Sequence, residues 1–315
     1  MLHLVHHPDY VTPAPPGAFP ADKYGLIIPA LEEIGAPHKQ HRPEPMPRRW
    51  IEAVHEPAYV EEVFTASVPR DKERRIGFPV DARIARRVQL TPGGSWLAAR
   101  LALNHGYAAN SAGGSHHALF DTGAGYCVFN DLAVAAIRLI AEGTVARILI
   151  VDLDVHQGDG TAALIGDRAD IRTYSVHGEK NFPARKARST VDVALPDGAT
   201  DDAYLDALSQ TLPPLVDRVR PDLILYQAGV DPHVDDRLGR LALSDEGLDR
   251  RDRFVAGEAI RSGAAVASAL GGGYGPDKML LARRHVRSML CMADALKAHR
   301  PVLAARLGSV AAEVA

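Results

Sequence analysis

The chain has 315 residues, of which 46% are hydrophobic and 24% charged, and its formal net charge is −3. This composition predicts a globular protein with a substantial core and excludes a largely disordered chain. Lysine and arginine are spread along the sequence and no run reaches about 18 apolar residues, so neither nucleic acid nor a membrane is an expected partner.

Cysteine usage and the first residues bear on the compartment. The sequence has two cysteines, Cys127 and Cys291, which argues against a disulfide framework and fits a reducing compartment. The first residues, Met-Leu-His-Leu-Val-His-His-Pro, lack the basic and apolar regions of a secretion signal. We therefore expect a cytoplasmic protein; the sequence does not indicate its oligomeric state.

Short apolar runs alternate with segments of helical spacing along most of the chain. The predicted strands are residues 2–6, 147–155, 171–176, 222–227 and 264–270. The predicted helices are residues 21–34, 56–66, 94–105, 130–142, 201–219, 244–261 and 277–298, and one more begins at residue 160. Strands separated by helices imply βαβ crossovers. We expect one α/β domain over residues 1–315, with a central, mostly parallel sheet flanked by helices.

Chemically reactive residues follow three of the predicted strands. Functional groups of open parallel sheets gather beyond the carboxyl ends of the strands. Here those ends lead into residues 152–156, 228–231 and 271–274, and a loop at residues 113–117 adds two adjacent histidines. Because separate segments converge on one edge of the sheet, we expect a single cleft there.

The run Asp152-Leu-Asp-Val-His-Gln-Gly-Asp159 has the spacing of a metal site. In a strand, side chains two apart share a face, so Asp152, Asp154 and His156 leave the sheet on one side. Carboxylates and an imidazole suit a divalent ion such as zinc, and three protein ligands leave a position open for hydrolysis. Asp231 is the predicted third ligand beside Asp154 and His156. The alternatives are a strand end with solvated polar residues and, for Asp231, a turn or helix-cap role.

His116 and His117 are candidates for acid and base chemistry. Imidazoles tuned by carboxylates are the usual general acid and base near neutral pH, and Asp152 and Asp159 are spare carboxylates. We assign His117 as the base that takes a proton from the attacking water and His116 as the electrostatic partner or acid. Two structural histidines are the alternative.

Tyr274 follows three glycines, whose backbone can approach closely and place a phenol at a defined position. Such a donor can stabilise a developing oxyanion. The alternatives are a core tyrosine and a phosphate-binding loop. We discard the loop because the segment lacks both the Gly-x-Gly-x-x-Gly pattern and a Lys-Ser/Thr pair.

These segments together resemble the zinc-dependent histone deacetylase superfamily, which also contains bacterial acetylpolyamine amidohydrolases and acetoin-utilisation proteins. The resemblance spans nearly the whole chain. Within the superfamily, the sequence is most similar to the bacterial class IV branch. Its motifs are Gly-Gly-Ser-His116-His117-Ala, Gly125-Tyr-Cys-Val-Phe-Asn-Asp131, Asp152-Leu-Asp-Val-His-Gln-Gly-Asp-Gly-Thr161, Gln227-Ala-Gly-Val-Asp231 and Gly-Gly-Gly-Tyr274. It implies a single-domain arginase/deacetylase-like fold.

The resemblance also implies roles for individual residues. It implies one zinc ion per chain, held by Asp154, His156 and Asp231, and a Tyr274 hydroxyl that polarises the amide carbonyl. It pairs Asp152 with His116 and Asp159 with His117. Two aromatic residues are implied as walls of a narrow tunnel for an acyl-lysine stem, Tyr126 and Phe182. A structural potassium ion is implied at Asp152, the backbone around Asp154 and His156, and the pair Ser175 and Val176.

The sequence departs from the family pattern at three points. The rim aspartate that anchors the substrate backbone in eukaryotic protein deacetylases has no clear match near residues 75–79. Ser115 stands before the histidine pair in place of a bulky aromatic residue, so we expect a pocket wider than an acetyl group needs. Lys23 is aligned with an arginine at the foot of that pocket.

We therefore predict a zinc-dependent hydrolase that removes acetyl or longer acyl groups from lysine side chains of proteins or peptides. One alternative is an acetylated polyamine or another small amide, for which Asp235 and Asp236 are candidate acids at the tunnel mouth. A binuclear manganese ureohydrolase needs an Asp-x-His-x-Asp spacing that this chain lacks. A non-catalytic acyl-lysine binder is a further alternative, and iron can occupy a zinc-like site.

Overall fold

A central sheet dominates the computed structural model of the chain, which describes residues 1–12 and 21–302. Its strands are β1 (Leu2–Val5), β2 (His38–His41), β3 (Tyr107–Asn110), β4 (Ile148–Asp152), β5 (Ile171–Gly178), β6 (Val191–Leu195), β7 (Leu223–Gln227) and β8 (Ala265–Ala269). They form one eight-stranded sheet in the order β2-β1-β3-β8-β7-β4-β5-β6, and every neighbouring pair is parallel. The predicted α/β class is confirmed; residues 13–20 and 303–315 of the predicted domain lie outside the described residues.

Helices flank the sheet. They are α1 (Ile27–Glu33), α2 (Arg48–Glu52), α3 (Pro57–Phe64), α4 (Arg70–Ile76), α5 (Ala82–His105), α6 (Asp131–Ala141), α7 (Asp159–Ile165), α8 (Asp201–Val219), α9 (Asp245–Ser262) and α10 (Lys278–Ala295). Several begin at side-chain caps: Asn130 accepts a hydrogen bond from the amide of Ala133, and Ser244 accepts one from the amide of Gly247. Among residues 1–12 and 21–302, no helix is both long and apolar enough to span a bilayer.

The order of the central strands brings the reactive segments together. The strands β8, β7 and β4 are neighbours, so the loops that follow them meet at one edge of the sheet. All residues of these three strands are buried, which is usual for a parallel sheet covered on both faces. The reactive segments therefore lie at the edge of the sheet where these strands end.

The strand predicted over residues 147–155 ends earlier, at Asp152. Beyond it, the amide of Asp154 donates to Oδ1 of Asp152 and the amide of Val155 donates to Oδ1 of Asp231, over 3.2 and 2.9 Å. Because these carboxylates replace a neighbouring strand as hydrogen-bond acceptors, the backbone leaves the sheet. Asp154 and His156 are thus presented by a loop, and the predicted alternation along a strand was wrong for them.

The helix predicted over residues 94–105 begins twelve residues earlier, as α5. Asp81 caps it, and Pro92, Gly93 and Gly94 lie inside it. A Cβ atom at Gly94 would lie 2.0 Å from the hydroxyl of Tyr10, so close packing requires glycine there. Gly94, at which the helix was predicted to begin, thus lies inside it as a packing feature. The short strands β2, β3 and β6 were not predicted from the sequence.

Candidate metal centre and active site

Asp154, His156 and Asp231 form a buried cluster beyond the ends of β4 and β7. The Nδ1 atom of His156 lies 3.0 Å from Oδ1 of Asp154 and 3.1 Å from Oδ2 of Asp231. One ligand atom from each of the three residues lies within 4.8 Å of the others. The structure therefore brings together the three metal ligands proposed from the sequence.

Backbone and glycine packing hold the two carboxylates in place. The amide of Gly272 donates to Oδ2 of Asp154 over 2.7 Å, and a Cβ atom at Gly272 would lie 2.0 Å from Oδ2 of Asp231. A Cβ at Gly229 would lie 2.6 Å from Oδ2 of Asp154. Any larger residue at either position would displace a carboxylate. The loops after β7 and β8 therefore require glycine at positions 229 and 272.

The electrostatics of the cluster fit a divalent cation. Burial and the charge of Asp154 raise the pKa of Asp231 to about 7. Burial opposes protonation of His156, but its hydrogen bonds to Asp154 and Asp231 outweigh burial and raise its pKa to about 10. Without a metal, a proton is thus shared where two carboxylates and an imidazole converge. Zinc accepts this donor set and displaces such protons on binding.

Each histidine of the adjacent pair is held by an aspartate. Nδ1 of His116 lies 2.7 Å from Oδ2 of Asp152, and Nδ1 of His117 lies 2.6 Å from Oδ1 of Asp159. The loop is positioned by the amide of Ser115, which donates to Oδ1 of Asp131 over 2.7 Å. The structure thus brings together both histidine–aspartate pairs implied by the resemblance.

The two histidines differ in protonation. Burial favours the neutral form of His116, but the charges of Asp152 and Asp154 outweigh burial and raise its pKa to about 9. Burial and the charge of His116 lower the pKa of His117 to about 3. Their ring centroids are 4.0 Å apart, so a proton on His116 opposes one on His117. Without a metal ion, a proton on His116 is therefore favoured over one on His117.

Aromatic rings surround the mouth of the cleft above this cluster. The ring of Tyr274 meets that of His156 edge-on, with centroids 6.1 Å apart, and lies 6.0 Å from the ring of Tyr126. Phe182, 47% exposed, meets His117 edge-on at 4.8 Å. The cleft that these residues share has a volume of about 430 Å³. Tyr126 and Phe182 therefore both line the approach to the cluster.

The conformation of Tyr126 depends on glycine and on backbone contacts. Its φ is +68°, a value that residues other than glycine rarely adopt. The amide of Tyr126 donates to the carbonyl of Ile76 over 2.7 Å. A Cβ atom at Gly77 would lie 2.8 Å from the tyrosine ring, so only glycine leaves room for the ring at this position of the turn after α4.

A smaller cavity adjoins the cluster at Asp154. It has a volume of about 40 Å³, and Lys23, Ser115, His116 and Asp154 are among the residues that line it. This is about three water positions by the usual minimum for one buried water. The Nζ atom of Lys23 donates to the carbonyl of Gly271 over 3.0 Å. Lys23 thus lines this cavity, and its correspondence to the family arginine stays a prediction.

The proposed monovalent-cation residues lie side by side in two paired strands. Asp152 on β4 is in register with Ser175 on β5, and Val176 follows in the same strand. Ser175 and Val176 are both buried. The Oγ atom of Ser175 lies 3.0 Å from Nδ1 of His177. The cation itself stays a prediction.

Neither acid proposed for the tunnel mouth lines the cleft. Asp235 pairs with Arg284 over 2.8 Å. The Oδ2 atom of Asp236 accepts the amide of Tyr274 over 2.6 Å, and its Oδ1 accepts the amides of Leu238 and Gly239, both over 2.9 Å. Asp236 is thus a half-buried support for the loop that carries Tyr274. The mouth of the cleft instead contains Arg75, Lys180 and Arg240.

Sequence reasoning also missed a buried arginine beneath the site. Arg251 on α9 is completely buried and pairs with Asp252 over 2.8 Å. Its guanidinium donates to the carbonyls of Gly229 and Leu153 over 2.6 and 3.3 Å, and so ties together the loops after β7 and β4. An arginine in a charged helix gives no sequence signal for this role, because most such residues face solvent.

Solved structures share this fold. A crystal structure of an acetylpolyamine aminohydrolase from Burkholderia pseudomallei matches with a TM-score of 0.76 and 22% identity, over 94% of this chain and 99% of that chain. At that identity the match shows a common fold. The fold class is therefore that of the deacetylases.

The family follows from the sequence matches. The histone deacetylase domain model matches residues 18–290, so the chain belongs to the histone deacetylase family, whose members are zinc-dependent amidohydrolases. An uncharacterised protein of Picosynechococcus is 46% identical over 285 residues, 90% of this chain and 95% of that protein. Histone deacetylase 2 of Arabidopsis thaliana is 29% identical over 267 residues, 81% of this chain and 69% of that protein. The resemblance read from the sequence motifs is confirmed.

Proposed function

We propose that this protein is a zinc-dependent deacylase that removes acetyl or longer acyl groups from lysine side chains of proteins or peptides. One observation carries the proposal: the buried cluster of Asp154, His156 and Asp231 lies at the bottom of a cleft walled by Tyr126 and Phe182. A narrow aromatic cleft suits an uncharged methylene stem, because acylation has removed the charge of the lysine.

The proposed mechanism divides the work among the residues around the cluster. Asp154, His156 and Asp231 would hold one zinc ion, which would supply Lewis-acid polarisation and make water more acidic. Because Asp159 occupies Nδ1 of His117, Nε2 is the atom that accepts a proton from the attacking water and passes it to the leaving amine. His116, held by Asp152, contributes positive charge beside the reacting carbon.

Tyr274 donates its hydroxyl to the carbonyl oxygen as negative charge develops there. Burial, together with the charges of Asp154 and Asp231, raises the pKa of Tyr274 well above its usual range. The phenol therefore stays protonated and remains a donor throughout the working pH range. Its place after three glycines keeps the ring against His156.

The competing substrates are less well supported. Acetylated polyamines carry further positive charges, and the cleft lining contains cations and no aspartate or glutamate. Within the described residues, Asp154, His156 and Asp231 are the one group of three or more such side chains close enough to bind a metal, which supports one ion per chain and not a binuclear centre.

The remaining assignments are part of the same proposal. We propose that residues 1–315 act as one catalytic domain and that a potassium ion lies beside Asp152 and Ser175. A cytoplasmic location is supported by two free, buried cysteines, Cys127 and Cys291. Acyl-lysine in a protein or peptide is the proposed partner, without nucleic acid or membrane.

Metal analysis combined with turnover tests the proposal. The purified protein should contain one equivalent of zinc, hydrolyse an acetyl-lysine peptide and lose activity on chelation. Asp154→Ala and Asp231→Ala should lose both metal and turnover, whereas Asp235→Ala, in the same loop but paired with Arg284, should keep both. Full activity in rigorously metal-free protein contradicts the proposal, and iron in place of zinc identifies a different physiological metal.

A further inference from the structure

The mouth of the cleft is positively charged. Arg75, Lys180 and Arg240 line it together with Phe182 and Tyr274, and the lining contains no acidic side chain. The three cations come from separate segments of the chain: the end of α4, the loop after β5 and the loop before α9. Three cations from different parts of the chain therefore line the same cleft.

Nearby acids neutralise only part of this charge. Lys180 and Arg240 share one carboxylate, Asp197, at 3.9 and 3.2 Å. Within the described part of the chain, Arg75 has no carboxylate within 4.0 Å. Counted by ion pairs within 4.0 Å, these three cations share one carboxylate. The carboxylate of Asp236 accepts hydrogen bonds from three backbone amides, so we do not count it as a counter-ion of these cations.

The segment that carries the aromatic wall adds to the same field. Residues 180–188 read Lys-Asn-Phe-Pro-Ala-Arg-Lys-Ala-Arg and contain no acid. Lys186 folds back, and its Nζ donates to the carbonyls of Asn181 and Pro183 over 2.5 and 2.8 Å. The wall residue Phe182 thus belongs to a basic loop, of which Lys180 lines the cleft and Arg188 lines a separate cavity.

We propose, on the basis of the proposed function, that the enzyme selects acyl-lysines flanked by acidic residues. The acylated lysine is neutral, so the charge that the cleft detects belongs to the neighbouring residues of the substrate. A cleft lined by one sign of charge concentrates oppositely charged ligands and accelerates their binding. Acidic flanks gain from this field, whereas basic flanks and polyamine chains are repelled.

Three acetyl-lysine peptides of equal length test the inference, with flanking residues that are acidic, neutral or basic. At low salt, kcat/KM should be roughly tenfold higher for the acidic than for the neutral peptide, and lowest for the basic one. The preference should shrink at about 0.5 M salt, because the Debye length is then only a few ångströms.

A variant with reversed charge at the entrance tests whether the cations there cause the preference. In Arg75→Glu/Arg240→Glu, the ratio of kcat/KM for the acidic over the neutral peptide should fall below one. Arg253→Glu is the control, because Arg253 is an exposed cation that lines a separate groove against Cys291 on α10. It should keep the wild-type ratio. If the double variant fails to fold, Lys180→Glu, at a residue whose side chain is 67% exposed, should lower the same ratio.

The outcomes separate this inference from the proposed function. Equal turnover of the acidic and neutral peptides overturns the inference and leaves the deacylase function standing. If Arg253→Glu loses the preference for the acidic peptide as fully as the double variant does, the inference is also overturned. The net charge of the protein, and not the cations at the entrance, would then determine the preference. Turnover of acetylpolyamines alone, with no acyl-lysine peptide hydrolysed, overturns both.

Discussion

The backbone amide of Tyr274 donates to Oδ2 of Asp236 over 2.6 Å, so a half-buried carboxylate fixes the position of the proposed oxyanion donor. Its other oxygen accepts the amides of Leu238 and Gly239. The two loops that follow β7 and β8 are thus joined through one side chain. A support of this kind acts on catalysis through the residue that it positions.

We predict that Asp236→Ala lowers kcat roughly 10-fold to 100-fold and leaves zinc bound, because small displacements of a catalytic group are costly. A double-mutant cycle with Tyr274→Phe distinguishes positioning from general destabilisation. If Asp236 acts through Tyr274, the two losses should be far from additive. Additive losses would show that Asp236 does not work through the tyrosine hydroxyl.

Tyr274→Phe removes one hydroxyl and keeps the ring that packs against His156. Because the hydroxyl is proposed to bind the oxygen mainly in the transition state, kcat should fall roughly 100-fold to 1,000-fold. Zinc content, thermal stability and KM should change little. Steady-state kinetics on an acetyl-lysine peptide measure this, and a kcat near the wild-type value would exclude the role given to Tyr274.

His117→Ala should lower kcat roughly 100-fold to 10,000-fold without loss of zinc. Its Nδ1 is bound to Asp159, and it contributes no ligand to the cluster, so removal deletes a proton relay only. Metal content and kcat measured on the same sample provide the test. Loss of zinc in this variant would make His117 a ligand and the assignment wrong.

Ser115 leads to a prediction about acyl length. Its side chain lines the cavity of about 40 Å³ beside His116, so we expect propionyl- and butyryl-lysine to be hydrolysed with kcat/KM within tenfold of acetyl-lysine. Ser115→Phe should fill the cavity and reduce butyryl turnover far more than acetyl turnover, since one methylene in a fitted pocket is worth about 1 to 3 kcal/mol. A strict acetyl preference in the wild-type protein would contradict this prediction.

His55 makes stability depend on pH. Burial lowers the pKa of His55 to about 4, and its ring joins the carbonyl of Leu119 to the amide of Asn130. As the pH falls below about 6.5, His55 binds a proton in the unfolded chain but stays neutral in the folded chain. The contribution of neutral His55 to the free energy of unfolding is therefore complete above about pH 6.5 and is lost as the pH falls toward 4.

Chemical denaturation at pH 7.5 and pH 5 measures this effect. Over that interval the wild-type protein should lose about 2 kcal/mol more unfolding free energy than His55→Gln, at about 1.36 kcal/mol per pKa unit. At pH 7.5 the variant should be the less stable protein, because it loses two buried hydrogen bonds. An identical pH dependence in both proteins would show that His55 is protonated equally in the folded and unfolded states.

The sequence alone determined the parallel α/β fold and the cluster of polar residues at one edge of the sheet. Long apolar runs such as β4 and β7 are predictable because their burial on both faces leaves a continuous hydrophobic pattern. The site was indicated by the spacing of Asp154 and His156 and by the glycines after β8. Metal coordination and close backbone approach restrict residue types at fixed positions.

Tertiary structure decided which charged residues face the substrate. Asp235 and Asp236 adjoin the site in sequence, yet their oxygens are taken by Arg284 and by backbone amides. The entrance is instead lined by Arg75, Lys180 and Arg240, from three separate segments. The sequence pattern could not reveal this, because the role of a charged side chain depends on the groups that folding places within a few ångströms of it.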